Sequence, residues 1–322
     1  MTNIMIDGLL LVLGLVVLIK GADLLVEGAS VVASRFGISA LTIGLTVVSF
    51  GTSLPELFVS LTSGLKNHSD LAIANVIGSN IANVLLVLGV AAMVRPLRVH
   101  NSTVVSEIPF MLTAALLVGF LANAHLFSDQ PELSISQLDG GILLFFFLLF
   151  MLYVYKVSAS NGAPLVQIKS SRKVMKAVAS ILLGALGLYF GGQWVVDGAV
   201  GLAQDWGIGD ALIGLTVIAI GTSSPELVAS AVAAYRDKTD IAVGNVVGSN
   251  IFNLLWVLGL TSSITELPFE VVSNTDLMIV IGSSAMIIFA LVSSHNNSVN
   301  RAHGILFVGA YIAYIAYVVQ RG

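Results

Sequence analysis

The 322-residue chain contains no cysteine and very little charge. Without cysteine it can form no disulfide, bind no metal through thiolates and use no cysteine nucleophile. Only 10% of its residues are charged, whereas 57% are hydrophobic and the mean hydropathy is +0.97. A soluble domain of this length carries more charge, because its surface would otherwise be largely apolar. The composition therefore excludes an ordinary soluble protein and predicts a polytopic membrane protein.

The N-terminal apolar stretch lacks the basic residues and the small-residue cleavage pattern of a signal peptide, so we interpret it as the first membrane span. A stretch of about 20 apolar residues is long enough to cross a bilayer. On this criterion we predict ten spans, at about 4–30, 40–64, 71–93, 104–124, 139–156, 175–199, 210–234, 241–263, 274–293 and 303–320.

The longest polar connection, residues 156–176, contains five basic residues and no acidic one. Basic loops stay on the cytoplasmic side of a membrane, so this linker is predicted to be cytoplasmic and both termini to lie outside. With this orientation, 11 of the 14 lysines and arginines fall on the inner side. We therefore expect a multi-pass protein of the cell (inner) membrane.

The chain also contains an internal repeat. Residues 37–89 align without gaps onto residues 207–259, with 27 identities in 53 positions. Each copy belongs to a unit of five spans, and an odd number of spans means that the second unit enters the membrane the other way up. This is the inverted repeat of secondary transporters, whose substrate sites lie near the midplane, where the halves meet. The predicted units are residues 1–155 and 177–322, joined by the linker.

Each copy places a helix-breaking proline inside an apolar run, in GTSLPEL from Gly51 and in GTSSPEL from Gly221. Pro55 has no amide hydrogen to donate to the carbonyl of Gly51, and Pro225 deprives Gly221 in the same way. Inside lipid, such a carbonyl is tolerated only where it is buried in protein or faces a polar cavity. A carboxylate follows each proline, and a carboxylate at mid-membrane costs about 2.5–3.5 kcal/mol, so it is usually functional.

A second repeated motif adds oxygen atoms. GSNIAN and GSNIFN each place a serine and an asparagine four residues apart, on one face of a helix, and each begins with a glycine (Gly78, Gly248) that lets helices approach closely. An oxygen shell of six to eight ligands with two negative charges suits Ca²⁺, and Na⁺ could compete for the same cavity. The candidate side chains offer two carboxylates, two amide oxygens and six hydroxyls: Glu56, Glu226, Asn83, Asn253, Thr52, Ser53, Ser79, Thr222, Ser223 and Ser249.

The paired Gly-Thr-Ser-x-Pro-Glu and Gly-Ser-Asn-x-x-Asn segments resemble the two α-repeats of the sodium/calcium exchanger family, within the calcium/cation antiporter superfamily. The resemblance implies an all-α membrane protein with ten transmembrane helices in two inverted five-helix repeats. It also implies alternating access, in which spans one and six slide past a core built from the other eight. Carried over by position, it implies Glu56 and Glu226 as the central ligands, surrounded by the six hydroxyls, with backbone carbonyls near Ser49 and Ala219.

The departures from the family pattern are also informative. Potassium-dependent members carry an aspartate where this chain has Asn253, so the resemblance implies exchange without K⁺. The short linker leaves no room for the large regulatory insert of the animal exchangers, which is the situation expected of the prokaryotic type. No cofactor, nucleic acid or obligatory protein partner is indicated; the expected partners are membrane lipids and the transported Ca²⁺ and Na⁺.

The leading interpretation is an electrogenic antiporter that admits Na⁺ and expels Ca²⁺. An antiporter of Ca²⁺ or another divalent cation against H⁺ is the alternative on the same scaffold. A cation channel could also use carboxylates, but such channels are usually rotationally symmetric assemblies. The sequence shows no catalytic constellation at membrane depth, so an enzyme is not expected.

Charged residues in the first span allow a weaker interpretation. Lys20, Asp23 and Glu27 lie at i, i+3 and i+7, roughly on one helical face. We expect them to form a neutralising cluster near the outer membrane face, or else a vestibule for cations.

Overall fold

The computed structural model describes residues 2–66, 68–99, 103, 105–124, 133–160, 171–206, 219–294 and 297–321. Within these ranges the chain is helical apart from short connections and four two-residue strands. The helices are α1 (Thr2–Phe36), α2 (Ala40–Thr52), α3 (Leu54–Leu65), α4 (Ser69–Val94), α5 (Glu107–Ala122), α6 (Gln137–Ser160), α7 (Ser171–Asp205), α8 (Ala219–Thr222), α9 (Ser224–Tyr235), α10 (Thr239–Ile264), α11 (Ser273–Val292) and α12 (Arg301–Arg321).

Most predicted spans coincide with these helices. Among the described residues, seven helices are long and apolar enough to cross a membrane, and the bent pair α2–α3 makes an eighth. The fourth predicted span corresponds to α5, which has only 16 residues. The seventh, predicted at 210–234, is described from Ala219 onwards as α8 and α9, and residues 207–218 lie outside the described part. The helices α6 and α7 both extend into the predicted linker, of which residues 161–170 are not described.

The packing of α1 against α7 shows that the two repeats are inverted. These helices are equivalent in the repeat, and glycines recur at equivalent positions in both: Gly14, Gly21 and Gly28, then Gly184, Gly191 and Gly198. A Cβ on Gly14 would lie 2.7 Å from the backbone nitrogen of Val195, and one on Gly28 would lie 2.6 Å from the carbonyl oxygen of Ala177. Positions later in α1 therefore meet positions earlier in α7, so the two equivalent helices run antiparallel at backbone contact.

The central helices α4 and α10 are largely buried. Each contains a π-helical turn, Asn83–Leu88 in α4 and Phe252–Val257 in α10, and α2 contains another at Gly44–Val48. A π turn inserts one extra residue into an α-helix and is frequent at functional sites. The sequence patterns predicted continuous helices here, because a single-residue insertion leaves no mark on composition.

Four short strands join the two halves at their ends. The strand β1 (Leu97–Arg98) pairs antiparallel with β4 (Ser298–Val299), and β2 (Ser134–Ile135) pairs antiparallel with β3 (Leu267–Pro268). Each pair takes one strand from each repeat, so the two halves are connected at two places by backbone hydrogen bonds. These small strands are an addition to the all-α architecture that the sequence predicted.

The charged face of α1 forms ion pairs with the end of α9. Arg236, at the end of α9, lies 2.9 Å from Asp23 and 3.9 Å from Glu27. In the predicted orientation the loop that contains Arg236 is cytoplasmic, and these carboxylates would then lie toward that side rather than at the outer face.

Candidate cation site

Two helix breaks bring the repeated Pro-Glu motifs to the interior of the molecule. The helix axis turns by 48° between α2 and α3, at Ser53. Ser53 (φ −86°, ψ 7°) and its equivalent Ser223 (φ −86°, ψ 5°) have nearly the same backbone conformation. In both repeats the proline lies in the first turn of the following helix, where its missing amide hydrogen is tolerated. The glutamate is therefore in the first turn as well, near the positive end of the helix dipole.

The two glutamates are buried and lie close to each other. Glu56 is 1% exposed and Glu226 is fully buried, and the two carboxyl groups are near enough to interact electrostatically. Within the described residues neither forms an ion pair with a lysine or arginine, and the Oε2 atom of each has no hydrogen-bond partner. Two buried carboxylates without a counter-charge are costly unless a cation joins them. Such a pair can bind a cation between the two repeats.

Serine hydroxyls hold the other carboxylate oxygens. Ser53 Oγ donates to Glu226 Oε1 at 3.1 Å, and Ser79 Oγ donates to Glu56 Oε1 at 3.3 Å. Ser223 Oγ in turn lies 3.4 Å from Ser79 Oγ. Two of these three contacts connect residues of different repeats, so the site exists only when the halves are docked.

Thr52 occupies the neighbouring part of the site. Its Oγ1 atom lies 3.1 Å from Asn245 Oδ1, 3.3 Å from the carbonyl oxygen of Ser49 and 3.4 Å from Ser249 Oγ. The Ser49 carbonyl also accepts the amide hydrogen of Ser53 at 3.0 Å. Close helix packing permits these contacts, since a Cβ on Gly248 would lie 2.5 Å from Ser49 Oγ. A Cβ on the equivalent Gly78 would have no described atom within 4 Å. The residues that correspond, in the second repeat, to the neighbours of Gly248 lie partly outside the described residues.

The two candidate asparagines lie at the π turns. Asn83 begins the π turn of α4, and Asn253 is the second residue of the π turn of α10. Both side chains are buried, and neither their amide nitrogens nor their amide oxygens have a hydrogen-bond partner within the described residues. An unsatisfied buried amide is costly, so an additional ligand is expected to satisfy these groups.

A cavity of about 350 Å³ reaches the site from one side. It lies between α3, α7 and the α8–α9 break, and Thr222, which is half-buried, forms part of its wall together with Pro55 and Pro225. Ala219 is the first residue of α8, and the structure describes its backbone only. The remaining lining residues are Phe58, Val59, Tyr189, Gly192, Gln193, Val196, Asp197 and Gly221.

Two Ser–Asn pairs that support the site were not predicted from the sequence. Asn75 Nδ2 donates to Ser60 Oγ at 2.9 Å, and Asn245 Nδ2 donates to Ser230 Oγ at the same distance. The two pairs occupy equivalent positions in the repeats. All four residues are among the polar identities of the repeat alignment, which is the signal that could have identified them.

The comparison with protein families decides the identity of the fold. A family model described as sodium/calcium exchanger protein matches residues 7–156 and 176–320. The chain belongs to the sodium/calcium exchanger family. The match confirms the predicted family and the inverted all-helical architecture. Members of this family are membrane transport proteins and not enzymes.

Relatives within the exchanger family cover most of the chain. The inner membrane protein YrbG of Escherichia coli is 37% identical over 278 residues, 82% of each chain. The sodium/calcium exchanger MaX1 of Methanosarcina acetivorans is 31% identical over 300 residues, which is 82% of this chain and 84% of that protein. A solved structure of the sodium-calcium exchanger NCX_Mj, soaked with 10 mM Na⁺ and zero Ca²⁺, has a TM-score of 0.81 at 31% identity and covers 97% of this chain and 99% of its own.

Proposed function

We propose that this chain is a secondary antiporter that exchanges Na⁺ for Ca²⁺ by alternating access. The observation that carries the proposal is the meeting of Glu56 and Glu226, two buried carboxylates from inverted repeats, each with one oxygen free of hydrogen bonds within the described residues. Two fixed negative charges match one Ca²⁺, which takes oxygen ligands. The relative MaX1, named a sodium/calcium exchanger, and the NCX_Mj structures soaked with Na⁺, Ca²⁺ or Sr²⁺ support the same pair of substrates.

In this proposal the carboxylates of Glu56 and Glu226 are the central ligands of the cation. The side-chain hydroxyls of both repeats and the two π-turn amides complete the shell, together with carbonyls at Ser49 and Ala219. The hydroxyl and amide ligands of this proposed shell are Thr52, Ser53, Ser79, Thr222, Ser223, Ser249, Asn83 and Asn253. All of these ligands are oxygens, which is the donor set that Ca²⁺ and Na⁺ prefer.

In the proposed mechanism, the site is open alternately to one side of the membrane and to the other. The cavity beside Thr222 gives access from one side, and movement of α1 and α7 past the remaining helices closes it and opens the other. The proposal includes the predicted orientation, with both termini outside and the linker 156–176 in the cytoplasm between units 1–155 and 177–322. Without an acidic residue at position 83 or 253, exchange is proposed to be independent of K⁺.

Reconstitution in proteoliposomes tests this function. Vesicles containing the purified protein are loaded with Na⁺, diluted into Na⁺-free medium with ⁴⁵Ca²⁺, and compared with vesicles that carry an H⁺ gradient or a K⁺ gradient. The proposal expects Ca²⁺ uptake driven by the Na⁺ gradient. Uptake driven by the H⁺ gradient alone would replace it with Ca²⁺/H⁺ exchange, and uptake that needs no counter-gradient would indicate a channel.

A further inference from the structure

Asn245 links three helices at the edge of the candidate site. It is fully buried in α10, one turn before Ser249. Its Oδ1 atom accepts the hydroxyl hydrogen of Thr52 in α2 at 3.1 Å, and its Nδ2 atom donates to Ser230 in α9 at 2.9 Å. A buried amide that loses such partners has no bulk water to replace them, so this geometry is strongly preferred.

The equivalent residue in the first repeat indicates which way the amide of Asn245 points. Asn75 Nδ2 lies 2.9 Å from Ser60 Oγ and 3.2 Å from the main-chain carbonyl of Glu56. A carbonyl oxygen can only accept, so the nitrogen of Asn75 must lie on the serine side. The same arrangement at Asn245 places its nitrogen toward Ser230 and its oxygen toward Thr52.

The oxygen of Asn245 competes for the single hydrogen of the Thr52 hydroxyl. Another acceptor with a fixed role is the carbonyl of Ser49, which is 3.3 Å from Thr52 Oγ1, compared with 3.1 Å for Asn245 Oδ1. When the hydrogen points to Asn245, one lone pair of the Ser49 carbonyl is free, and the lone pairs of Thr52 Oγ1 can face a cation or the hydroxyl of Ser249, 3.4 Å away. When the hydrogen points to Ser49, that carbonyl oxygen accepts two hydrogen bonds, because it also accepts the amide hydrogen of Ser53.

We propose that Asn245 is a positioning residue for the transported cation. It holds the Thr52 hydroxyl hydrogen away from the Ser49 carbonyl, so that the oxygen atoms of Thr52 and Ser49 remain available as ligands. Asn245 itself does not contact the cation, and Ser230 fixes the amide in the required orientation. The inference rests on the proposed function, since it concerns the cation that the two glutamates bind.

The second repeat supplies a matched comparison. Thr222 is the equivalent of Thr52, and replacement of either threonine by valine removes one hydroxyl while keeping the side-chain shape. Thr222 forms part of the cavity wall. Coupling of Asn245 to Thr52, and not to Thr222, is therefore the signature that separates positioning of one ligand from a general loss of packing.

The experiment measures Ca²⁺ and Na⁺ binding to the purified full-length protein by isothermal titration. The variants are Asn245→Ala, Thr52→Val, Thr222→Val and the two double variants that combine Asn245→Ala with each threonine change. We expect Asn245→Ala to weaken Ca²⁺ binding about tenfold, as for loss of one well-oriented hydrogen bond. Combined with Thr52→Val it should add less than about twofold, whereas its effect should multiply with that of Thr222→Val.

Two further variants keep the proposal testable if Asn245→Ala does not fold. Asn245→Asp retains an oxygen toward Thr52, and Ser230 can turn its hydroxyl to donate to the new carboxylate, so binding should be weakened less than in Asn245→Ala. If Asn245→Ala does not fold, Ser230→Ala replaces it, because it frees the amide without touching Thr52, and the same non-additivity with Thr52→Val is expected.

Multiplicative effects of Asn245→Ala and Thr52→Val, or equal coupling to both threonines, would overturn the positioning role while leaving the proposed function intact. A wild-type protein that binds neither cation would overturn the proposed function, and the positioning role with it. The two failures are therefore distinguished by the wild-type titration alone.

Discussion

Ser53 donates a hydrogen bond to Glu226 across the two repeats at 3.1 Å, although their positions are 173 residues apart in the chain. The equivalent serine, Ser223, does not make the mirror-image contact within the described structure. It lies 3.4 Å from Ser79, which in turn donates to Glu56. Two half-sites with the same motif therefore make different contacts, one direct and one through an intervening hydroxyl. The functional consequences of this paired carboxylate site can be tested directly.

Neutralising either central glutamate should abolish Ca²⁺ transport. Glu56→Gln and Glu226→Gln each remove one of two buried negative charges, while the amide keeps the shape and the hydrogen-bonding capacity of the side chain. Na⁺-driven ⁴⁵Ca²⁺ uptake in proteoliposomes should fall to background in both variants, with an unchanged elution profile of the purified protein. Uptake at the wild-type rate by either variant would show that the site has been misassigned.

Glu107→Gln is the matched control for this prediction. Glu107 is also buried, at 1% exposure, but it lies in α5 and its Oε1 accepts the hydroxyl hydrogen of Tyr153 at 2.7 Å. The variant removes a buried carboxylate that is outside the proposed site. We therefore expect it to retain Na⁺-driven uptake, although its stability can change.

Exchange should be electrogenic and should be inhibited by acid. The two carboxylates neutralise one Ca²⁺, whereas three or more Na⁺ ions would carry net positive charge across the membrane. A proton binds the same carboxylates as a cation, so a fall in pH should lower the apparent Ca²⁺ affinity by competition. The initial rate is measured with the membrane potential clamped at opposite signs and over a pH series. A rate independent of the potential contradicts the charge argument.

Potassium should be dispensable, and Asn253→Asp should change the ion preference. Asn253 is fully buried at a π turn and carries no charge, so it cannot compensate an additional monovalent cation, and an uncompensated charge at mid-membrane costs at least about 2.5 kcal/mol. Na⁺-dependent Ca²⁺ flux should persist when choline replaces K⁺ on both sides. Asn83→Asp makes the equivalent change in the first repeat. Loss of wild-type flux without K⁺ would refute the prediction.

The glycine contacts between α1 and α7 should be intolerant of added side chains. A Cβ on Gly191 would lie 2.7 Å from the backbone nitrogen of Leu18, so Gly191→Ala must separate the helices and is expected to destabilise the protein by about 1–3 kcal/mol. Gly8 in α1 has no described atom within 4 Å of a Cβ, so Gly8→Ala is the control and should be neutral or slightly stabilising. Thermal unfolding in detergent compares the two variants, and an equal melting temperature would contradict tight packing.

The orientation can be tested with single cysteines, because the natural chain has none. Lys173 and Asp205 are exposed residues near opposite ends of α7. Lys173→Cys should react with a membrane-impermeant thiol reagent only after the cytoplasmic side is made accessible, and Asp205→Cys should react in intact cells. The reverse pattern would mean that the positive-inside prediction has the wrong sign.

The amino-acid sequence determined the class, the repeat and the principal polar residues of this protein. Low charge and long apolar runs leave only a membrane protein, and an odd number of spans in each repeat requires inversion. Pro55 and Pro225 mark the helix breaks because a missing amide hydrogen acts locally, wherever the chain folds. Glu56 and Glu226 were identified for a similar reason, since a carboxylate in an apolar run is costly in any fold.

Only the tertiary structure decided which partners these residues meet. The contacts Ser53–Glu226 and Thr52–Asn245 depend on how the repeats dock, and docking is set by side-chain packing over the whole interface, such as the glycine contacts between α1 and α7. The π turns in α4 and α10 likewise arise from packing, because their apolar residues suit an α-helix equally well. The sequence shows that Asn245 is equivalent to Asn75 in the repeat. The hydrogen bond from the Thr52 hydroxyl to Asn245 forms only when α2, α9 and α10 are packed together.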